Sequence, residues 1–176
     1  MDWIKELQGM TPEQRKTLVW NDPRLERLAE AVEKKYELPN GAIRALKFAE
    51  NTGLKNDKLS ESKNDSTARS VVNGRPGAEG VMQFMPATRK LQNGLFEHNP
   101  LDPVESIDAA GRYLQFTLKN QYKGNIIAAF ADYNGGPAQA KLVMEGKRPK
   151  AAETDNYLSK ITMFFERMQP QQGGKK

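Results

Sequence analysis

The sequence predicts a mainly helical fold, on three observations. Apolar residues recur at helical spacing along most segments, prolines repeatedly stand just after a capping side chain, and no convincing pair of alternating strands appears. Thr11-Pro12-Glu13-Gln14 carries the first start signal: a cap, a proline at the first helical position and a glutamine closing a capping box. Asp22-Pro23 repeats it and opens a helix through about Tyr36. Leu25, Leu28, Ala29 and Val32 form its inward stripe, with Glu26, Arg27, Glu30 and Lys34 facing water.

Leu38-Pro39-Asn40 leads into a helix over residues 41–51, with Ala42, Ile43, Leu46 and Ala49 on one face. Glu50 stands seven residues after Ile43 and four after Leu46, so it continues that buried stripe. A carboxylate at the end of an apolar stripe breaks the binary pattern and asks for a chemical reason. From Asn51 to Glu79 serine, asparagine, aspartate, lysine and glycine prevail and the apolar period vanishes. This predicts a long polar loop of the kind that is usually functional or disordered.

Pro86 opens a short helix to about Leu91, and Asp102-Pro103 a long one to about Tyr122 with a seam of Val104, Ile107, Gly111, Leu114 and Leu118. A further helix runs from Asn125 to Tyr133. Asn134-Gly135-Gly136-Pro137 breaks it and starts another that ends near Gly146. Thr154 is the expected cap of a last helix carrying Tyr157, Ile161, Phe164 and Met168. The tail from Gln169 has nothing to bury and is expected to be mobile.

Composition narrows the function classes. The 176 residues suffice for one domain with a real core. A net charge of +5, spread along the chain, favours polyanions such as wall polymers, DNA or acidic membranes without choosing among them. A nucleic-acid reading has only that charge behind it, because no aromatic-basic cluster appears. Cysteine is absent, which excludes disulfides, thiolate nucleophiles and cysteine-ligated metal. The single histidine, His98, is expected to be a solvated loop residue. No metal or organic cofactor is signalled. The start, MDWIKELQGM, lacks the pattern of a secretory signal, and no run is long enough to insert in a membrane, so a soluble chain outside the general export route is expected.

The most unusual stretch is GAEGVMQFMPAT, residues 77–88, in which large apolar residues crowd around one amide, Gln83. Taken in order, four pieces resemble one family. They are Ala49-Glu50 at the end of a helix entered through Leu-Pro, Gly80-Val81-Met82-Gln83-Phe84-Met85-Pro86-Ala87-Thr88, Ala131-Asp132-Tyr133-Asn134-Gly135-Gly136-Pro137, and Glu153-Thr154 followed by Tyr157-Leu158. Together they look like a soluble lytic transglycosylase of the goose-lysozyme-like (SLT) type over roughly residues 36–165. The resemblance implies a lysozyme-like helical domain, 36–168, with the long polar loop following its catalytic helix. Residues 1–35 would be a helical appendage or cover and 169–176 a flexible tail.

The same resemblance implies a groove for peptidoglycan glycan strands. It assigns the catalytic acid to Glu50 and substrate contact to Asn51, Met82, Gln83, Phe84, Tyr133, Asn134 and Tyr157. For Met82 and Phe84 the competing reading is plain core packing. The family usually writes Glu-Ser, whereas Glu50 precedes Asn51; Glu61-Ser62 and Glu105-Ser106 carry the dipeptide. Glu105 is explained by helix capping, and Glu61 lacks a preceding apolar helix. Asp132, where the family commonly has alanine, is expected on the outer helix face, with the alternative of a second carboxylate near the groove.

Buried on its stripe, Glu50 should hold its proton to unusually high pH. It would then cleave the MurNAc-GlcNAc bond with closure to a 1,6-anhydro end. Two other readings stay open. One is hydrolysis with a second carboxylate drawn from Asp57, Glu61, Asp65, Glu79 or Asp132; the other is a glycan-binding module without catalysis. Without a signal sequence, such an enzyme is expected to reach the periplasm or cell wall with a phage virion or through a secretion machine, whose proteins would be its partners.

Overall fold

The computed structural model describes residues 3–52, 69–72 and 75–170. In chain order the elements are α1 (Trp3–Gly9), α2 (Pro12–Arg15), α3 (Pro23–Lys35), α4 (Ala42–Asn51), β1 (Arg69–Val72) and β2 (Arg75–Glu79). They are followed by α5 (Pro86–Gly94), α6 (Pro103–Asn120), α7 (Ile126–Gly135), α8 (Pro137–Met144) and α9 (Ala152–Arg167). None of the described helices is long and apolar enough to cross a membrane.

The start signals act as the sequence leads one to expect. Thr11 and Gln14 exchange both capping-box hydrogen bonds, and Asp22, Asp102 and Asn125 cap α3, α6 and α7 with their side chains. Asp102 is fully buried and is also gripped by Arg15, which ties α2 to α6.

Helix α4 sits centrally, packed by α3, α6 and α9. Its apolar stripe of Ala42, Ile43, Leu46 and Ala49 is buried. The orphan N–H groups at its start are satisfied from a distance. The buried Glu33 carboxylate, on α3, accepts from the N–H groups of Gly41, Ile43 and Arg44 at 2.9–3.0 Å and pairs with the Arg44 guanidinium. Two close crossings need glycine. A Cβ on Gly111 of α6 would lie 2.4 Å from Val32 Cγ1 of α3, and one on Gly135 of α7 would lie 2.3 Å from Thr154 Oγ1 of α9.

The structure corrects four expectations. Part of the polar stretch is an antiparallel strand pair, β1 with β2, whose irregular register (Arg69 opposite Glu79, Val71 opposite Pro76) leaves no clean alternation to read. Thr154 does not cap α9; the helix begins at Ala152 and Thr154 is buried against α7. His98 is buried, its ring edge-on to Phe84 and its Nδ1 2.7 Å from the Phe96 carbonyl. Gln169 is held rather than loose, donating to the Asn40 and Phe165 carbonyls. Residues 53–68 and 171–176, including Asp57, Glu61 and Asp65, lie outside the described residues.

Candidate active site

Glu50 lies at the C-terminal end of α4, where the buried stripe meets the surface, and its side chain is half-buried. From α9 the Tyr157 hydroxyl donates to Glu50 Oε1 at 2.9 Å. Burial pushes the Glu50 carboxyl up to about 8 from an ordinary value of 4.5; the Tyr157 hydrogen bond opposes that rise, and the charge of Glu153 adds to it. Tyr133, from α7, and Tyr157 are raised well above the usual phenol range, first by burial and then by the Glu50 charge. The three side chains therefore form one electrostatic unit, a protonated carboxyl between two neutral phenols.

The second part of the site is the turn that follows β2. Glu79 and Phe84 exchange two backbone hydrogen bonds at 3.1 Å, and Gln83 N–H closes onto the Gly80 carbonyl. Gly80 and Gln83 both take left-handed backbone angles, φ +79° and +52°. Glycine does so readily; for glutamine the conformation is strained, a sign of a position held for another purpose. Val81, Met82 and Phe84 are buried and root the turn in the core. Gln83 stays half-buried, with its Nε2 donating to the Gly80 carbonyl at 2.7 Å.

The two parts are bolted together by side-chain-to-carbonyl bonds. Asn51 Nδ2 donates to the carbonyls of Lys47 and Val81, both at 2.7 Å, and the Tyr133 hydroxyl donates to the Met82 carbonyl at 2.7 Å. Asn51 is buried, so it joins α4 to the turn and does not present its amide to solvent. Met82, fully buried, likewise offers no side-chain surface.

Phe84 is part of an aromatic cluster with His98, Tyr113 and Tyr133. It also forms, with Gln83, Met85, Tyr133 and Asn134, part of the wall of a cleft of about 360 Å³. The remaining wall is hydroxyls, amides and aromatic rings such as Thr88, Gln92 and Phe116, with Asp132 its single ionisable carboxyl. Glu50 is not part of this wall; Tyr133 connects the two, lining the cleft and feeling the Glu50 charge.

The structure thus places Glu50, Tyr133, Asn134 and Gln83 at partly exposed positions; Tyr157, expected to contact substrate, is buried behind Glu50 and, like Asn51 and Met82, serves as support. Asp132 departs from the outer-face expectation: it is buried and accepts from both the Tyr113 hydroxyl, at 2.6 Å, and the Tyr122 hydroxyl. Glu79 lies 3.6 Å from the Arg89 guanidinium. Sequence reasoning passed over Lys47, which is four residues after Ile43 and three before Glu50 and is entirely buried. A lysine on the stripe that carries Glu50 was a readable signal. Among the described residues, no group of three or more acidic or histidine side chains is arranged to hold a metal ion.

A family model for the transglycosylase SLT domain matches residues 28–157, a span that contains Glu50 and Gln83 and ends on Tyr157. No solved structure matches the chain significantly.

Proposed function

The chain belongs to the transglycosylase SLT domain family, with the lysozyme-like fold and peptidoglycan substrate of that family, and from this premise we propose a specific reaction. Glu50 cleaves the β-1,4 bond between MurNAc and GlcNAc and leaves a 1,6-anhydroMurNAc end. The observation that carries the proposal is the Glu50 carboxyl itself, half-buried, held by one tyrosine hydroxyl and protonated to about pH 8.

In the first step that proton passes to the glycosidic oxygen as the bond to MurNAc C1 breaks, and the GlcNAc side leaves as a free alcohol. In the second step the Glu50 carboxylate takes the proton of the MurNAc C6 hydroxyl while O6 bonds to C1. Glu50 regains its proton and no water is consumed. The neighbouring phenols stay neutral throughout, so Tyr157 can orient the carboxyl without competing for the proton.

One feature favours this route over hydrolysis, and a second fits the substrate. A glycosidase of the two-carboxylate kind needs a second free carboxylate at a defined distance. Of the alternatives within the described residues, Asp132 already accepts from two tyrosine hydroxyls and Glu79 faces Arg89. The cleft walled by Gln83, Tyr133 and Asn134 offers amides, hydroxyls and aromatic faces, which suit a neutral N-acetylated sugar.

Mass analysis of the fragments released from purified peptidoglycan is the test. Anhydro ends are expected; fragments heavier by one water, with reducing ends, overturn the lyase reading. No release by the parent protein, with retained binding, favours a glycan-binding module. The reading includes delivery to the wall by a virion or a secretion machine. Finding the protein neither in purified particles nor in a secreted fraction of the producing culture overturns that part.

A further inference from the structure

Lys47 has the features of a device rather than of filler. Its side chain is wholly buried, where an apolar residue would complete the stripe of α4 at no electrostatic cost. Its ammonium donates to the Trp20 carbonyl at 2.6 Å and to the Glu26 carboxylate, and lies 5.2 Å from the centre of the Trp20 ring. All of these partners lie before residue 28, where the family match begins. The far end of the same residue is equally engaged: the Lys47 carbonyl accepts from Asn51, whose amide also holds the Val81 carbonyl of the Gln83 turn. Glu50 stands between Lys47 and Asn51, less than one turn from each.

We propose that Lys47 is a positioning residue for the reaction, a latch by which the segment around Trp20 and Glu26 sets where the Glu50 end of α4 lies against the Gln83 turn. The physical reason is directional. Apolar packing tolerates small slides of a helix, whereas a buried ammonium loses its partners if α4 shifts, so one placement is favoured over its neighbours. Burial lowers the pKa of Lys47, which fits a charge retained in the core only because Glu26 and the Trp20 carbonyl meet it. The latch rests on the reading of Glu50 as the acid, and the experiment separates the two.

Steady-state kinetics on soluble uncrosslinked glycan strands are compared for the parent, Glu50→Gln, Lys47→Met and Glu26→Gln, with Tm and Trp fluorescence measured on each. Lys47→Met keeps the volume and removes the charge; the carboxylate left behind, Glu26, is 38% exposed and can be hydrated, which limits the cost of unpairing it. Glu26→Gln keeps an acceptor beside the ammonium while removing its charge, so it weakens the latch from the other side if Lys47→Met does not fold.

With a working latch, kcat falls about ten- to a hundredfold in Lys47→Met and less in Glu26→Gln, from misplacement alone. KM stays within about twofold, because the binding cleft is untouched. Trp emission shifts, and kcat falls further than the loss of folded protein read from Tm explains. A shift in Trp20 emission with kcat unchanged in both variants overturns the proposal and leaves Glu50 as the acid. Full activity in Glu50→Gln overturns both.

Discussion

In the proposed reaction the deciding side chain is Glu50, and its environment makes predictions with definite signs. Replacement by glutamine keeps the shape and removes the transferable proton, so release of fragments from peptidoglycan should fall about 10²–10⁴-fold. In the parent, kcat/KM should decline as pH rises through about 8, where the acid loses its proton. Stability follows the same proton. The folded carboxyl titrates above its ordinary value of 4.5, so its contribution is fully present below that value and is lost as pH rises through about 8. Glutamine has no such loss, and thermal melts should show Glu50→Gln gaining on the parent between pH 5 and pH 9. Tyr157→Phe removes the one hydrogen bond that holds the value down. The alkaline limb of its pH-rate profile should therefore move to higher pH; a limb that stays put or moves lower would contradict this account of the carboxyl. Glu50 was legible beforehand because one charge on an apolar stripe is a local anomaly. The fates of Asn51 and Asp132 were not: whether an amide or carboxylate turns inward is decided by acceptors and hydroxyls that reach it from distant parts of the chain.

Among elements, the helices that carry local punctuation could be read, whereas α1, before the first start signal, was not. Thr11, Asp22, Asp102 and Asn125 announce starts by side-chain bonds made within a few residues. Where the signal was non-local the reading failed. The strand pair is held by partners across an irregular register, and Thr154 looked like a cap while actually packing against another helix. That contact gives a prediction at this scale. Gly135→Ala would set a methyl 2.3 Å from Thr154 Oγ1 and 2.7 Å from Gln139 Cγ, forcing α7 away from α9. Overpacking of this kind costs about 1–3 kcal/mol, visible as a lower Tm. Because α7 carries Tyr133 and α9 carries Tyr157, activity should fall more than the loss of folded protein explains. Thr154→Ser/Gly135→Ala, with a methyl removed from the opposite side, should recover part of the Tm only if Thr154 Cγ2, 3.0 Å from the added Cβ, contributes to the clash.

For the whole molecule, the segment before residue 28 belongs to the same core as the matched region. Leu25 on α3 is fully buried, and Trp20 and Glu26 meet Lys47 beneath the candidate acid. A chain cut to residues 28–170 should lose its cooperative thermal transition, since it exposes that core and leaves a buried ammonium with neither partner; a cut chain that melts like the parent would show the segment to be dispensable. A different consequence follows from α9, the last described helix. It supplies Tyr157 to the site, and the residues just after it, Met168 and Gln169, bond to Asn40 at the start of α4. A nascent chain emerging from a ribosome therefore has Glu50 translated early, but Tyr157 and the ties to Asn40 join it only once α9 has cleared the exit tunnel. Synthesis itself thus delays assembly of the surroundings of Glu50 until α9 has been made.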